Sequence, residues 1–177
     1  MGTTHGLWLD MWLQRADEDG WQLVMWDVDL ALDVPGLPAA LSQPCLDRMP
    51  SHGTKDLLAR LNLARAFGGV IVPTHSEPVR SLEPLRASGK FILAFDGPFA
   101  QVERRFMCAP KGSGMSVEIM AFLAADAADR TRPFDLRRSF TNAIEYALND
   151  RVVLPFKAIR PPLSDLYAQN NYIVVHD

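Results

Sequence analysis

"TKDLLARLNLARAFGGVIVP", Thr54 to Pro73, changes its apolar period part-way along, and that change decides the class of fold. Leu57, Leu58, Leu61 and Ala64 recur at helical spacing behind Thr54, a residue suited to capping a helix, and Gly68-Gly69 provides the stop. "VIVP" then reads as a short buried strand. Further on, "SEPVRSLEPLRASG" predicts two helical turns broken at Pro84, and "KFILAF" a strand ended by Asp96-Gly97-Pro98. Helix, strand, helix and strand in this order predict a layered α/β or α+β core.

The C-terminal half opens with the loop "APKGSGMS". A helix is expected through "VEIMAFLAADAA", with Val117, Met120, Ala121 and Ala124 inward. Asp135 suits the cap of another, with the inward stripe Leu136, Phe140, Ala143, Ile144 and Ala147. "RVVLPFKAI" predicts a strand that Pro155 assigns to a sheet edge, and "NYIVV" a closing strand. Toward the N-terminus, Leu7 to Ala16 predicts a short helix with Leu7, Trp8, Met11 and Trp12 on one side, ended by "DEDG". A strand over Trp21 to Val34 and an irregular loop containing Pro35, Pro38, Pro44 and Pro50 follow. All four tryptophans fall in the first 26 residues, where they are expected to pack the helix onto that strand.

Together these elements predict a single mixed domain over 1–177, with an N-terminal helix at 7–16, a core at 21–107 and a helical and strand half at 113–177. A net charge of -3 gives no global attraction to nucleic acid or an anionic membrane. Cys45 and Cys108 stand far apart without a CxxC, which excludes a disulfide framework or a cysteine zinc site. No run of about 18 uncharged apolar residues predicts a membrane span. The N-terminus lacks the order of a secretory signal, so a cytoplasmic protein is expected.

On an extended 21–34 segment, Asp27, Asp29 and Asp33 share one face while Val24, Trp26, Val28, Leu30 and Leu32 share the other. Carboxylates so close need solvent or a cation, and Mg²⁺ would answer that need and organise a phosphate. A wet edge strand would answer it equally. Asp27, Asp29 and Asp33 are therefore candidate metal ligands, and Asp27 and Asp29 candidate catalytic residues of a metal-dependent phosphohydrolase. The same carboxylates would also serve a non-enzymatic immunity or protein-binding module as a recognition surface for a basic partner. Arg104, Arg105 and Lys111 are the candidate phosphate or nucleotide contacts, Lys111 lying in a glycine-rich loop just before a predicted helix. Arg130, Arg132, Arg137 and Arg138 form a second basic set, with Glu103, Asp126, Asp129 and Asp135 as local partners. His75 falls at a strand end, without a nucleophile motif beside it.

"DVDLALD" resembles the first motif of haloacid-dehalogenase-type phosphatases, DxDGTLxD. That resemblance implies Asp27 as nucleophile and Asp29 as general acid, although Leu30-Ala31 replaces the Gly-Thr pair. A second resemblance covers residues 30 to 105 and rests on order: an apolar strand, a loop with Gln43-Pro44, the helix "KDLLARLNLARAFGG", the strand "VIVP", then "FILAFDG" running into Arg104-Arg105. This order resembles the ParB/sulfiredoxin-like fold, with extra C-terminal helices and strands. The size and the mixed C-terminal half are similar to the Osa-type fertility-inhibition proteins of plasmids. The resemblance implies an inhibitor of conjugative DNA transfer, with ATP, Mg²⁺, DNA and a type IV secretion component as cofactors and partners, and ATPase and DNase activity.

Overall fold

Gly68 ends the long central helix at φ +70° and turns the chain directly into a strand, as the change of period requires. A Cβ there would stand 2.5 Å from the backbone nitrogen of Lys111, so the close approach of that loop also demands glycine. The computed structural model describes residues 4–37, 41, 52–73, 76, 78, 80–96, 101–129, 131, 133–146, 151–154 and 172–176. In order, its elements are α1 (Thr4–Asp19), β1 (Gln22–Trp26), α2 (Val28–Leu32), α3 (His52–Phe67), β2 (Gly69–Pro73) and α4 (Glu83–Ala87). Then follow β3 (Phe91–Asp96), β4 (Gln101–Ala109), α5 (Gly114–Ala128), α6 (Leu136–Tyr146), β5 (Arg151–Leu154) and β6 (Tyr172–His176).

The strands form one sheet in the order β1-β6-β2-β4-β3-β5. All neighbours are antiparallel except β3 and β5. This is an α+β architecture. Strand alternation divides the interior in two. Ile71, Phe91, Leu93, Met107 and Ala109 face the larger core with α3, α5 and α6, and Val70, Val72, Ile92, Phe106 and Cys108 face the smaller one with Trp12, Ala16 and Trp21. Trp12 donates its ring N–H to the carbonyl of Ser76 at 2.6 Å, satisfying the polar end of a buried indole. Trp26 lies on the other side, tilted against Phe67 at 5.3 Å. No helix among the described residues is long and apolar enough to cross a membrane.

Several expectations change here. The strand expected over 21–34 stops at Trp26, because Asp27 caps a helix and Val28, Ala31 and Leu32 follow helical rather than alternating spacing. The inward face of α5 is Met115, Ser116, Ile119, Met120, Leu123 and Ala124, whereas Val117 and Ala121 are exposed. The helix is apolar on nearly every side, so periodicity alone does not fix its rotation. Pro84 opens α4 instead of breaking a pair of turns. Thr54 lies inside α3, which begins at His52. The strand β4 was hidden by the charged run at its start. The readings placed on Pro38, Gln43-Pro44, Pro50, His75, Arg130, Arg132, Ala147 and Pro155 lie outside the described residues.

Candidate functional site

Asp27 leaves β1 in an extended conformation, and its Oδ1 accepts the backbone N–H of Asp29 at 2.9 Å. That hydrogen bond caps α2, a single turn too short to be stable from its own hydrogen bonds. Tertiary contacts supply the rest. Asn62, fully buried on α3, donates through Nδ2 to the carbonyls of Ala31 and Val34, both at 2.9 Å. These carbonyls belong to the end of α2 and the chain just after it, where helix acceptors lack partners of their own. Arg65 fixes the amide of Asn62 in turn, donating from Nε at 3.1 Å and Nη2 at 2.8 Å to its Oδ1. The same Nη2 reaches the carbonyl of Pro35 at 2.5 Å. Gly36, at φ +101°, lets the guanidinium come close, since a Cβ there would lie 2.7 Å from Nη1.

Clamped in this way, α2 presents Asp27, Asp29, Leu30 and Asp33 to solvent, with Leu30 62% exposed. Asp33 is the C-cap residue, so the even spacing of the three aspartates does not correspond to one face of a strand. Among the described residues no group of three or more His, Cys, Asp or Glu could hold a metal ion.

The candidate cations belong to other elements of the chain. Arg104 and Arg105 lie on β4 where its ladder slips: Leu93 pairs with Met107, but Ala94 pairs with Glu103. The register shifts there, which interrupts the regular pairing of the two strands. Lys111 is exposed in the turn between β4 and α5. There Gly112 donates its N–H to the carbonyl of Arg65 at 2.9 Å, so the loop covers the C-terminal end of α3. Ser113, the N-cap residue of α5, is buried and makes no side-chain cap bond.

The acidic residues beside the second basic set bind backbone and hydroxyl groups. Asp135 caps α6 by accepting the N–H groups of Arg137 and Arg138 at 3.0 and 3.1 Å, as its position predicts. Asp126 accepts the hydroxyl of Ser139, joining α5 to α6, and Asp129 binds the backbone and hydroxyl of Thr131. In the smaller core, burial pushes the Cys108 thiol up to about 12, with Arg86 opposing and Glu83 reinforcing the shift. Such a thiol is inert as a nucleophile.

The sequence carries one signal for the roles of Asn62 and Arg65. Asn62 falls four residues after Leu58, at a core position of the helical stripe, and a polar residue there requires a buried partner. No family model, curated protein or solved structure matches the chain.

Proposed function

We propose that this chain inhibits conjugative transfer of DNA by docking α2 onto a protein component of a type IV secretion system. The exposed Leu30 among the carboxylates of Asp27, Asp29 and Asp33 carries this reading. An apolar side chain held rigidly within an acidic rim suits a partner with an apolar pocket and a basic margin. The clamp from Asn62 and Arg65 supports it too, because an ordered binding element loses little entropy on association. The link to DNA transfer rests on the resemblance of the sequence order over residues 30 to 105 to the ParB/sulfiredoxin-like and Osa-type arrangement.

The ATPase and DNase activities that the Osa-type resemblance implies would draw on Arg104, Arg105 and Lys111 for phosphate. One experiment separates docking from hydrolysis. Plasmid transfer is measured from donor cells expressing the wild type, Leu30→Asp or Asp29→Lys, and the purified proteins are assayed for magnesium-dependent ATP hydrolysis with and without DNA. Docking predicts reduced transfer with the wild type, restored transfer with both folded variants, and no hydrolysis that depends on Asp29. Unchanged transfer with the wild type, or inhibition that survives both substitutions, would refute it. Hydrolysis by the wild type that Asp29→Lys abolishes would assign the aspartates to catalysis instead.

A further inference from the structure

β1 forms one end of the sheet, and among the described residues β6 is its sole strand partner. Its sequence, Gln22-Leu23-Val24-Met25-Trp26, contains no charge, proline or glycine. None of its side chains is buried, and Met25 is 56% exposed. Natural edge strands are guarded against pairing by lysine, proline, inward charges or bulges. This one has none of these within the strand. The opposite edge differs: β5 begins with Arg151 and is followed in sequence by Pro155, which has no N–H to donate.

We propose that the outer edge of β1, unpaired among the described residues, pairs antiparallel with β1 of a second copy, around a two-fold axis at Val24. In that register Val24 meets Val24 of the other copy, Leu23 meets Met25 and Gln22 meets Trp26. Every opposed pair is uncharged. Asp27 falls opposite Trp21, so no carboxylates confront each other across the ladder, and a net charge of -3 per chain does not oppose the contact locally. Leu23 already packs into the smaller core, and Met25 lies on the same face of the strand, so the Leu23–Met25 pairs extend that apolar layer from one copy to the other. Pairing like edges uses up both, so the assembly closes as a dimer. A β1-to-β5 contact would instead propagate into a filament.

The mass in solution is measured by light scattering over a range of concentrations, for the wild type and Met25→Lys. The expected masses are twice 19.7 kDa for the wild type and 19.7 kDa for the variant, with unchanged circular dichroism showing that the exposed lysine leaves the fold intact. Register is tested by oxidising Val24→Cys and Gln22→Cys in a Cys45→Ser background. Val24→Cys should cross-link to a covalent dimer and Gln22→Cys should not. A wild type that stays monomeric, or a dimer that tolerates Met25→Lys and does not cross-link through position 24, would overturn the proposal.

Discussion

Asn62 contributes more to the candidate site than any of the aspartates that mark it in the sequence. Its amide supplies donors to two carbonyls at the end of α2 and an acceptor to Arg65, all from a fully buried position. Removing one side of a buried hydrogen bond leaves the other unsatisfied, at a cost of about 1–3 kcal/mol. Asn62→Ala is therefore expected to destabilise the chain by about that amount in urea unfolding. Its local effect should be larger than its global one. The amides of Ala31 and Asp33, which close the turn onto Asp27 and Asp29, should exchange with deuterium faster in the variant, ahead of those in α5. Equal protection in the two proteins would show that α2 holds itself. By contrast, Asp27→Asn keeps a good capping oxygen and should be nearly neutral, whereas Asp27→Ala should cost about 1 kcal/mol.

At the scale of elements, α4 shows how one side chain can anchor a short helix. Glu83 accepts Nε and Nη2 of Arg86 at 2.7 and 2.8 Å, and the ring N–H of Trp21 at 2.9 Å. Thus the turn is joined to the segment between α1 and β1. The Arg86 guanidinium first, and the Trp21 N–H second, hold the Glu83 carboxyl below its ordinary value of 4.5, against the opposing effect of desolvation. A depressed carboxyl stabilises the fold above the unfolded value and loses that contribution as pH falls through the folded value. The stability difference between the wild type and Glu83→Gln should accordingly be full above pH 4.5 and close on further acidification. With Glu83 and Arg86 38% and 30% exposed, solvent screening limits it to below about 1 kcal/mol. Urea midpoints of both proteins at neutral and acidic pH would check the sign, and a gap that widens on acidification would contradict it.

Elements were legible where one period dominated. The stripe of Leu57, Leu58, Leu61 and Ala64 with Gly68 behind it specified α3, and Asp135 with Leu136, Phe140, Ala143 and Ile144 specified α6. "VDLAL" in α2 is too short for alternation and helical spacing to differ decisively, so the sequence pattern points the aspartates to a strand face that does not form. In β4 the charges at Glu103, Arg104 and Arg105 mask the strand, whose last four residues, Phe106 to Ala109, are buried on both faces of the sheet. The clamp on α2 was not legible because it joins residues about 30 positions apart in the chain.

For the whole molecule, the decisive connection is the last strand. β6 inserts between β1 and β2, pairing Gln22–Trp26 on one side and Val70–Pro73 on the other. The N-terminal segment therefore joins the sheet through the C-terminal one, a placement no local pattern encodes. All four tryptophans lie in the first 26 residues, so their fluorescence reports on α1 and β1, while far-ultraviolet circular dichroism is weighted toward the helices α3, α5 and α6. In the intact chain both signals should change together in urea, because one continuous sheet carries both cores. Ending the chain at Asn171 removes β6 and with it the described strand partner of β1. The larger core retains α3, α5, α6 and the β2–β4–β3 ladder. The fluorescence transition should then move to lower urea and separate from the dichroism transition, because only the N-terminal layer has lost its attachment. If both transitions instead shift together by the same amount, the layers are coupled through α1 and the sheet's smaller core, and β6 is not the joint. If neither moves, the packing of Trp12 and Trp21 holds the N-terminal segment without its ladder.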